Sequence, residues 1–127
     1  MSPERTRMFL ADDRPERLEE KKFFLERGGH EVVLTATSID ETSEAMTHFE
    51  AKGVVVAGID LNFNRKDAEN KDGLIINQKI TDAFPHILRV GMSIDPWPEG
   101  SQIDLDTASI PLQGLAKAID ALHVPRK

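Results

Sequence analysis

Short apolar runs alternate with segments of helical periodicity along this chain. The runs are Met8–Ala11, Val32–Leu34, Val54–Ile59 and Ile87–Met92, the last interrupted by Arg89. Near-continuous apolar strands suit a parallel sheet covered on both faces. Their alternation with helical segments is the pattern of β-α units, and predicts an α/β fold. A weaker fifth candidate spans Ile103–Ile110, with Asp104 and Asp106 on alternate positions. That alternation predicts an edge strand with one polar side.

The punctuation between the runs supports the same reading. Pro15 suits the opening turn of a first helix after Asp13, and Gly28-Gly29 suits its end. Ser38 and Glu41 have capping-box spacing, which predicts a second helix that Gly53 closes. Within it Ala45, Met46 and Phe49 share one face. A third helix is predicted from about Gly73 to Ala83, with Leu74, Ile75, Ile76 and Ile80 apolar and Pro85 beyond its end. The last follows Pro111 and turns Leu112, Leu115, Ala116, Ile119 and Leu122 inward. Between the fourth and fifth strands, Pro96, Pro98 and Gly100 exclude a helix of normal length. A loop, or at most one helical turn, is expected there.

Composition narrows the function classes. The chain has 127 residues, which predicts one domain, and neither an internal repeat nor a linker divides it. It has no Cys, so it has no disulfide, thiolate metal site or Cys nucleophile. Its net charge of −6 argues against non-specific nucleic-acid binding, which needs Lys and Arg to displace counterions. No apolar run approaches the ~20 residues that span a bilayer. Nothing after Met1-Ser2-Pro3 has the length of a signal-peptide core, so a cytoplasmic location is expected. The four histidines, His30, His48, His86 and His123, are too scattered to suggest a metal cluster.

The excess of carboxylates has a location. Asp12 and Asp13 lie at the carboxyl end of the first strand and Asp60 at that of the third. In an open parallel α/β sheet, ligands bind outside those ends, where the strand order reverses. If the first and third strands are neighbours, these carboxylates converge. They would repel and raise one another's pKa values unless they shared a cation. Hard oxygen ligands suit Mg²⁺, which keeps several waters and takes one or two protein carboxylates. The spacing therefore predicts a divalent-cation site with one carboxylate left to react. The plainer reading of any single Asp here is a helix cap or turn former.

At this point the sequence resembles a known family. Phe9-Leu10-Ala11-Asp12-Asp13-Arg14-Pro15, followed by Leu25-Glu26-Arg27-Gly28-Gly29-His30-Glu31-Val32-Val33, looks like the start of a response-regulator receiver domain. Val54–Asn62 and the later Asp72-Gly73 resemble that family's third strand and the start of its third helix. The resemblance covers residues 7–122, leaving 1–6 and 123–127 as tails. It is strong up to Ser93 and poor beyond. It implies a flavodoxin-like fold whose five-stranded parallel sheet has the order 2-1-3-4-5; the prolines and glycine noted above leave its fourth helix shortened or missing. It also implies a phosphoryl-accepting switch in a two-component phosphorelay. Asp60 would be the phosphoacceptor. Mg²⁺ would be held by Asp13, by Asp12 partly through water, by Asp60 and by the backbone carbonyl of Asn62. Ser93 would contact a phosphoryl oxygen. The donor would be a histidine kinase or phosphotransfer protein, and the output a downstream protein partner. No DNA-binding or catalytic segment is expected in this sequence after residue 122, so output is expected to pass through that partner or through a longer protein of which this is a piece; neither nucleic acid nor a membrane is an expected direct partner.

The chain departs from the family pattern in four places. Ile110 precedes Pro111 where the family has Lys, which removes a positive charge from an electrostatically run reaction. Lys117 sits too far into the last helix to replace it. Ala108 stands where the switch aromatic is usual, and the helix before the fifth strand is missing from the pattern. The stretch 61–72 is longer than usual and carries Arg65, Lys66 and Lys71. It reads first as a solvated charged loop, with one of its cations as an alternative source of the missing charge. Arg89 should pair with a carboxylate or reach solvent, since a buried unpaired Arg is costly. Trp97 should pack over the space the missing helix leaves, rather than anchor a partner.

Three functions compete. The first is an atypical receiver phosphorylated on Asp60, a signalling domain rather than an enzyme. The second is a pseudo-receiver that acts as an interaction module without phosphorylation, favoured by Ile110 and Ala108. The third, an Mg²⁺-dependent phosphohydrolase of the haloacid-dehalogenase type, would need Asp two residues after the nucleophile. Asn62 stands there and cannot do that proton transfer.

Overall fold

A computed structural model describes residues 6–61, 72–93, 97–98 and 103–122. The elements run β1 (Arg7–Ala11), α1 (Pro15–Arg27), β2 (Glu31–Ala36), α2 (Ile39–Met46), α3 (Phe49–Lys52), β3 (Val56–Ile59), α4 (Asp72–Ala83), β4 (Leu88–Gly91), β5 (Leu105–Asp106) and α5 (Leu115–Asp120). The strands form one sheet in the order β2-β1-β3-β4-β5, and every pair is parallel.

Alternation along each strand divides the core in two. Phe9, Ala57 and Ile59 face Ala45, Phe49, Ile76 and Ile80 of α2, α3 and α4. Met8, Leu10, Val56 and Val90 face Leu18, Leu25, Leu115 and Ile119 of α1 and α5. Phe49 stacks at 5.0 Å from Phe9 and 5.2 Å from Phe84, which anchors the first layer. In the second layer α1 and α5 approach so closely that a Cβ on Gly28 would lie 2.2 Å from that of Ala116. His30, buried after the same turn, places Nε2 3.1 Å from both the Ala116 carbonyl and the Asp120 carboxylate.

Register positions the site. Ala11 pairs with Ile59, and Ile59 with Gly91, so β1, β3 and β4 end level. The next residue of each strand continues the ladder: the Asp60 N–H donates to Ala11 (2.9 Å) and the Met92 N–H to Ile59 (2.8 Å). Asp12, Asp60 and Met92 thus emerge side by side.

Several expectations need correction. The second helix is two: the Thr47 hydroxyl takes the Glu44 carbonyl at 2.7 Å, ending α2 before α3 begins. Ser38 does cap α2, accepting from the Glu41 N–H, and Gly53 closes α3 in the left-handed conformation at φ 69°. The fifth strand is only Leu105–Asp106, because the carboxylates of Asp104 and Asp106 engage backbone N–H groups themselves: Asp104 takes that of Arg89, and Asp106 those of Trp97 and Ala108. After Pro111 the chain makes a 3-10 turn, Leu112–Gly114, before α5. In α4, Ile75 is exposed while Ile76 and Ile80 are buried.

The expected loss of the helix before the fifth strand falls mostly on 94–96 and 99–102, outside the described residues. Trp97 is buried in the first core layer, as its packing role requires. Its indole lies so close on β4 that a Cβ on Gly91 would meet Nε1 at 2.3 Å. Arg89 is half-buried, and its guanidinium donates to the Ile87 carbonyl at 3.1 Å. Among the described residues, no helix is long and apolar enough to cross a membrane.

Candidate functional site

Asp12 is the buried centre of the cluster. Its Oδ1 accepts the Arg14 N–H at 3.0 Å, a local turn that delivers the chain to Pro15 at the start of α1. Its Oδ2 accepts from the Lys21 ammonium at 2.7 Å. Asp13 and Asp60 are each half-exposed, and one oxygen from each of Asp12, Asp13 and Asp60 lies within 4.8 Å of the others. The level strand ends therefore bring together the carboxylates that the sequence placed at them.

Ser93 joins the cluster from the end of β4. Its hydroxyl donates to Asp60 Oδ1 at 2.7 Å and accepts the Leu61 N–H. Behind Asp60, α4 begins in close contact: a Cβ on Gly73 would lie 2.3 Å from the Asp60 carbonyl, and the Gly73 N–H donates to Leu61. Only glycine allows this approach. Burial pushes the Asp60 carboxyl up from its ordinary 3.8 to about 6, and the Asp12 charge adds to the rise. The Ser93 hydrogen bond and the Lys21 ammonium oppose it, while Asp13 raises it further.

Lys21 has no place in any motif, yet it is the buried cation of the site. Its Nζ donates to Asp12 and, at 2.8 Å, to the Met92 carbonyl just after β4, immediately before Ser93. The sequence signal for it is faint: Lys21 falls three residues after Leu18 and four before Leu25, on the buried stripe of α1. A lysine on an apolar stripe needs a buried partner, and Asp12 is that partner.

A cavity of about 110 Å³ adjoins the cluster, lined among others by Arg17, Lys21, Ser93, Ala108 and Ile110. Ile110 and Ala108, where the family resemblance lacks its Lys and its aromatic, thus face the same space as Lys21. Asn62 and the cations Arg65, Lys66 and Lys71 lie outside the described residues.

The donor set suits a hard divalent cation such as Mg²⁺, which takes oxygen ligands. Both oxygens of Asp12 already accept hydrogen bonds, so Asp13 and Asp60 are the fitting direct ligands and Asp12 the one acting through water.

No protein-family model and no curated protein sequence matches the chain. Solved structures do. A CheY-like response regulator receiver domain protein from Methanospirillum hungatei has a TM-score of 0.68 and 19% identity, covering 92% of each chain. The isolated receiver domain of RcsB from Salmonella enterica serovar Typhimurium, determined with the phosphomimetic BeF3-, has a TM-score of 0.71 and 18% identity over 93% of this chain and 88% of that one. A response regulator from Thermotoga maritima has a TM-score of 0.70 and 15% identity over 92% and 96%. The sheet order, the layering and these likenesses together give the chain the CheY-like receiver fold.

Proposed function

We propose that the chain is an atypical response-regulator receiver domain, spanning 7–122, that accepts a phosphoryl group on Asp60 in a two-component phosphorelay. The observation that carries this reading is the pairing of Asp60 with Ser93 inside a cluster that also holds Asp12 and Asp13. A carboxylate is a competent nucleophile for phosphoryl transfer. Ser93 holds Asp60 by Oδ1, which orients the other oxygen for attack. That oxygen forms a P–O bond as the P–N bond of a donor phosphohistidine breaks. The electron pair of that bond leaves on the imidazole nitrogen. The Ser93 hydroxyl would then donate to a phosphoryl oxygen. When bound, Mg²⁺ supplies charge neutralisation that the carboxylates cannot. Asp13 and Asp60 would hold it directly, with Asp12 through water and the carbonyl of Asn62 as a further ligand. The donor would be a histidine kinase or phosphotransfer protein, and the output would pass to a downstream protein partner.

A second reading is a phosphorylation-independent interaction module. It is favoured by Ile110 and Ala108, which make one wall of the site cavity apolar. Beryllofluoride with Mg²⁺ separates the two. Saturable amide NMR shifts around Asp60 and Ser93, lost in Asp60→Ala, are expected of the phosphoacceptor. A silent titration at millimolar Mg²⁺ would leave the interaction module standing.

A further inference from the structure

The carboxylate cluster already contains a fixed cation in a place no motif marks. A phosphoryl group brings up to about two negative charges at neutral pH. Beside Asp12 and Asp13 that charge needs more than one counter-charge. Among the described residues, the buried cation at the pocket is Lys21. Its ammonium reaches across from α1 to bridge Asp12 Oδ2 and the Met92 carbonyl, one residue before Ser93. An ammonium has three protons. Asp12 and Met92 take two of them, which leaves the third for an incoming oxygen. Lys21 and Ser93 line the same cavity, and Ser93 in turn holds Asp60, so the open side of the ammonium lies on the side of the site that Ser93 occupies. The charge of Lys21 is already felt at Asp60 in the absence of any phosphoryl group.

We propose that Lys21 is the cation that contacts the phosphoryl group on Asp60, replacing from α1 the charge that Ile110 cannot supply on the segment after β5. Lys21 serves as an electrostatic donor throughout; the P–O bond still forms to Asp60 and the donor's nitrogen still leaves with its electron pair. The proposal rests on Asp60 being the phosphoacceptor, and its test is built to separate the two.

The 127-residue chain is titrated with beryllofluoride in saturating Mg²⁺, followed by amide NMR. The parent protein is expected to bind, with shifts at Asp60 and Ser93. In Lys21→Met the beryllofluoride affinity should fall about tenfold or more, the scale of one charge-assisted hydrogen bond. The affinity for Mg²⁺ alone should hold or tighten, since Asp12 loses its competing partner. Arg17→Met, on the same cavity wall, should bind as the parent does. Removing one member of a buried ion pair destabilises a fold, so a measurement on the unmutated chain stands beside the variants. The side-chain ¹⁵Nζ resonance of Lys21 should move on adding beryllofluoride. A parent that binds while the Lys21 Nζ signal stays fixed overturns the proposal and leaves Asp60 as phosphoacceptor. So does a folded Lys21→Met that binds with undiminished affinity, or a loss that follows Arg17 instead. A parent that does not bind at all overturns both readings together.

Discussion

Asp60 should make the metal-free protein less stable than it could be, and Asp60→Asn should reveal by how much. The carboxyl is raised from 3.8 to about 6, mainly by burial and by the Asp12 charge. Two pH units correspond to about 3 kcal/mol. Asp60 is only half-buried, so solvent screening brings the expected gain to about 1–2 kcal/mol. The sign follows from proton counting. Between 3.8 and about 6 the folded protein holds the Asp60 proton more tightly than the unfolded chain does. Stability therefore falls as pH rises through that window. The penalty is absent below it and complete above. Asn keeps an oxygen to accept from Ser93 but carries no charge. Urea unfolding of parent and variant in EDTA, from pH 4.5 to 7.5, measures the difference directly. The variant should gain stability relative to the parent as pH rises. Adding Mg²⁺ should stabilise the parent at pH 7.5 and return little to the variant, since a ligand stabilises only a state that binds it. A pH-independent difference, or an Asn variant no more stable than the parent at pH 7.5 in EDTA, would refute the account of Asp60 as an electrostatically strained group.

Three further substitutions test the packing around the site. Ser93→Ala removes a hydrogen bond that lowers the Asp60 carboxyl, so its titration midpoint, read by carboxyl ¹³C NMR, should rise above about 6; an unchanged or lower midpoint would show that Ser93 does not hold the ionised form. The same variant strands the Leu61 N–H and should cost about 1–3 kcal/mol in urea unfolding. Gly73→Ala forces a Cβ against the Asp60 carbonyl and should cost about 1–3 kcal/mol, with the largest amide shifts at Asp60 and Leu61; a variant as stable as the parent would mean that α4 does not press on the acceptor strand. Trp97→Ala empties a buried position over Gly91 and should cost about 3–5 kcal/mol. A loss below about 1 kcal/mol would mean that the indole is not structural packing.

Much of this protein is written locally. The apolar runs Met8–Ala11, Val32–Leu34, Val54–Ile59 and Ile87–Met92 each overlap a strand, because a chain covered on both faces must be apolar on both. Pro15, Ser38 and Gly53 mark helix ends because their chemistry acts within a few residues of themselves. The Asp12-Asp13 pair and Asp60 could be picked out because they directly follow apolar strands, and the carboxyl ends of strands are where such sheets carry their sites. The strand order came from the family resemblance, since nothing in one strand names its neighbour.

Tertiary structure decided what depends on distant partners. Thr47 and His48 read as helix, but the hydroxyl of Thr47 competes for the carbonyl that would continue it. The fifth strand is cut to Leu105–Asp106 because Asp104 and Asp106 meet backbone donors on β4 and beside Trp97. The level ends of β1, β3 and β4 are set by register, and only that register puts Ser93 on Asp60. Lys21 is the sharpest case. From sequence it is a lysine spaced with Leu18 and Leu25, and a solvated helix face would explain it equally well. Docking α1 across the ends of β1 and β4 buries it between Asp12 and Met92. A charge can be read from sequence, but its meaning depends on which opposite charge the fold brings within hydrogen-bond distance of it, and here that is settled by how a helix lies on a sheet.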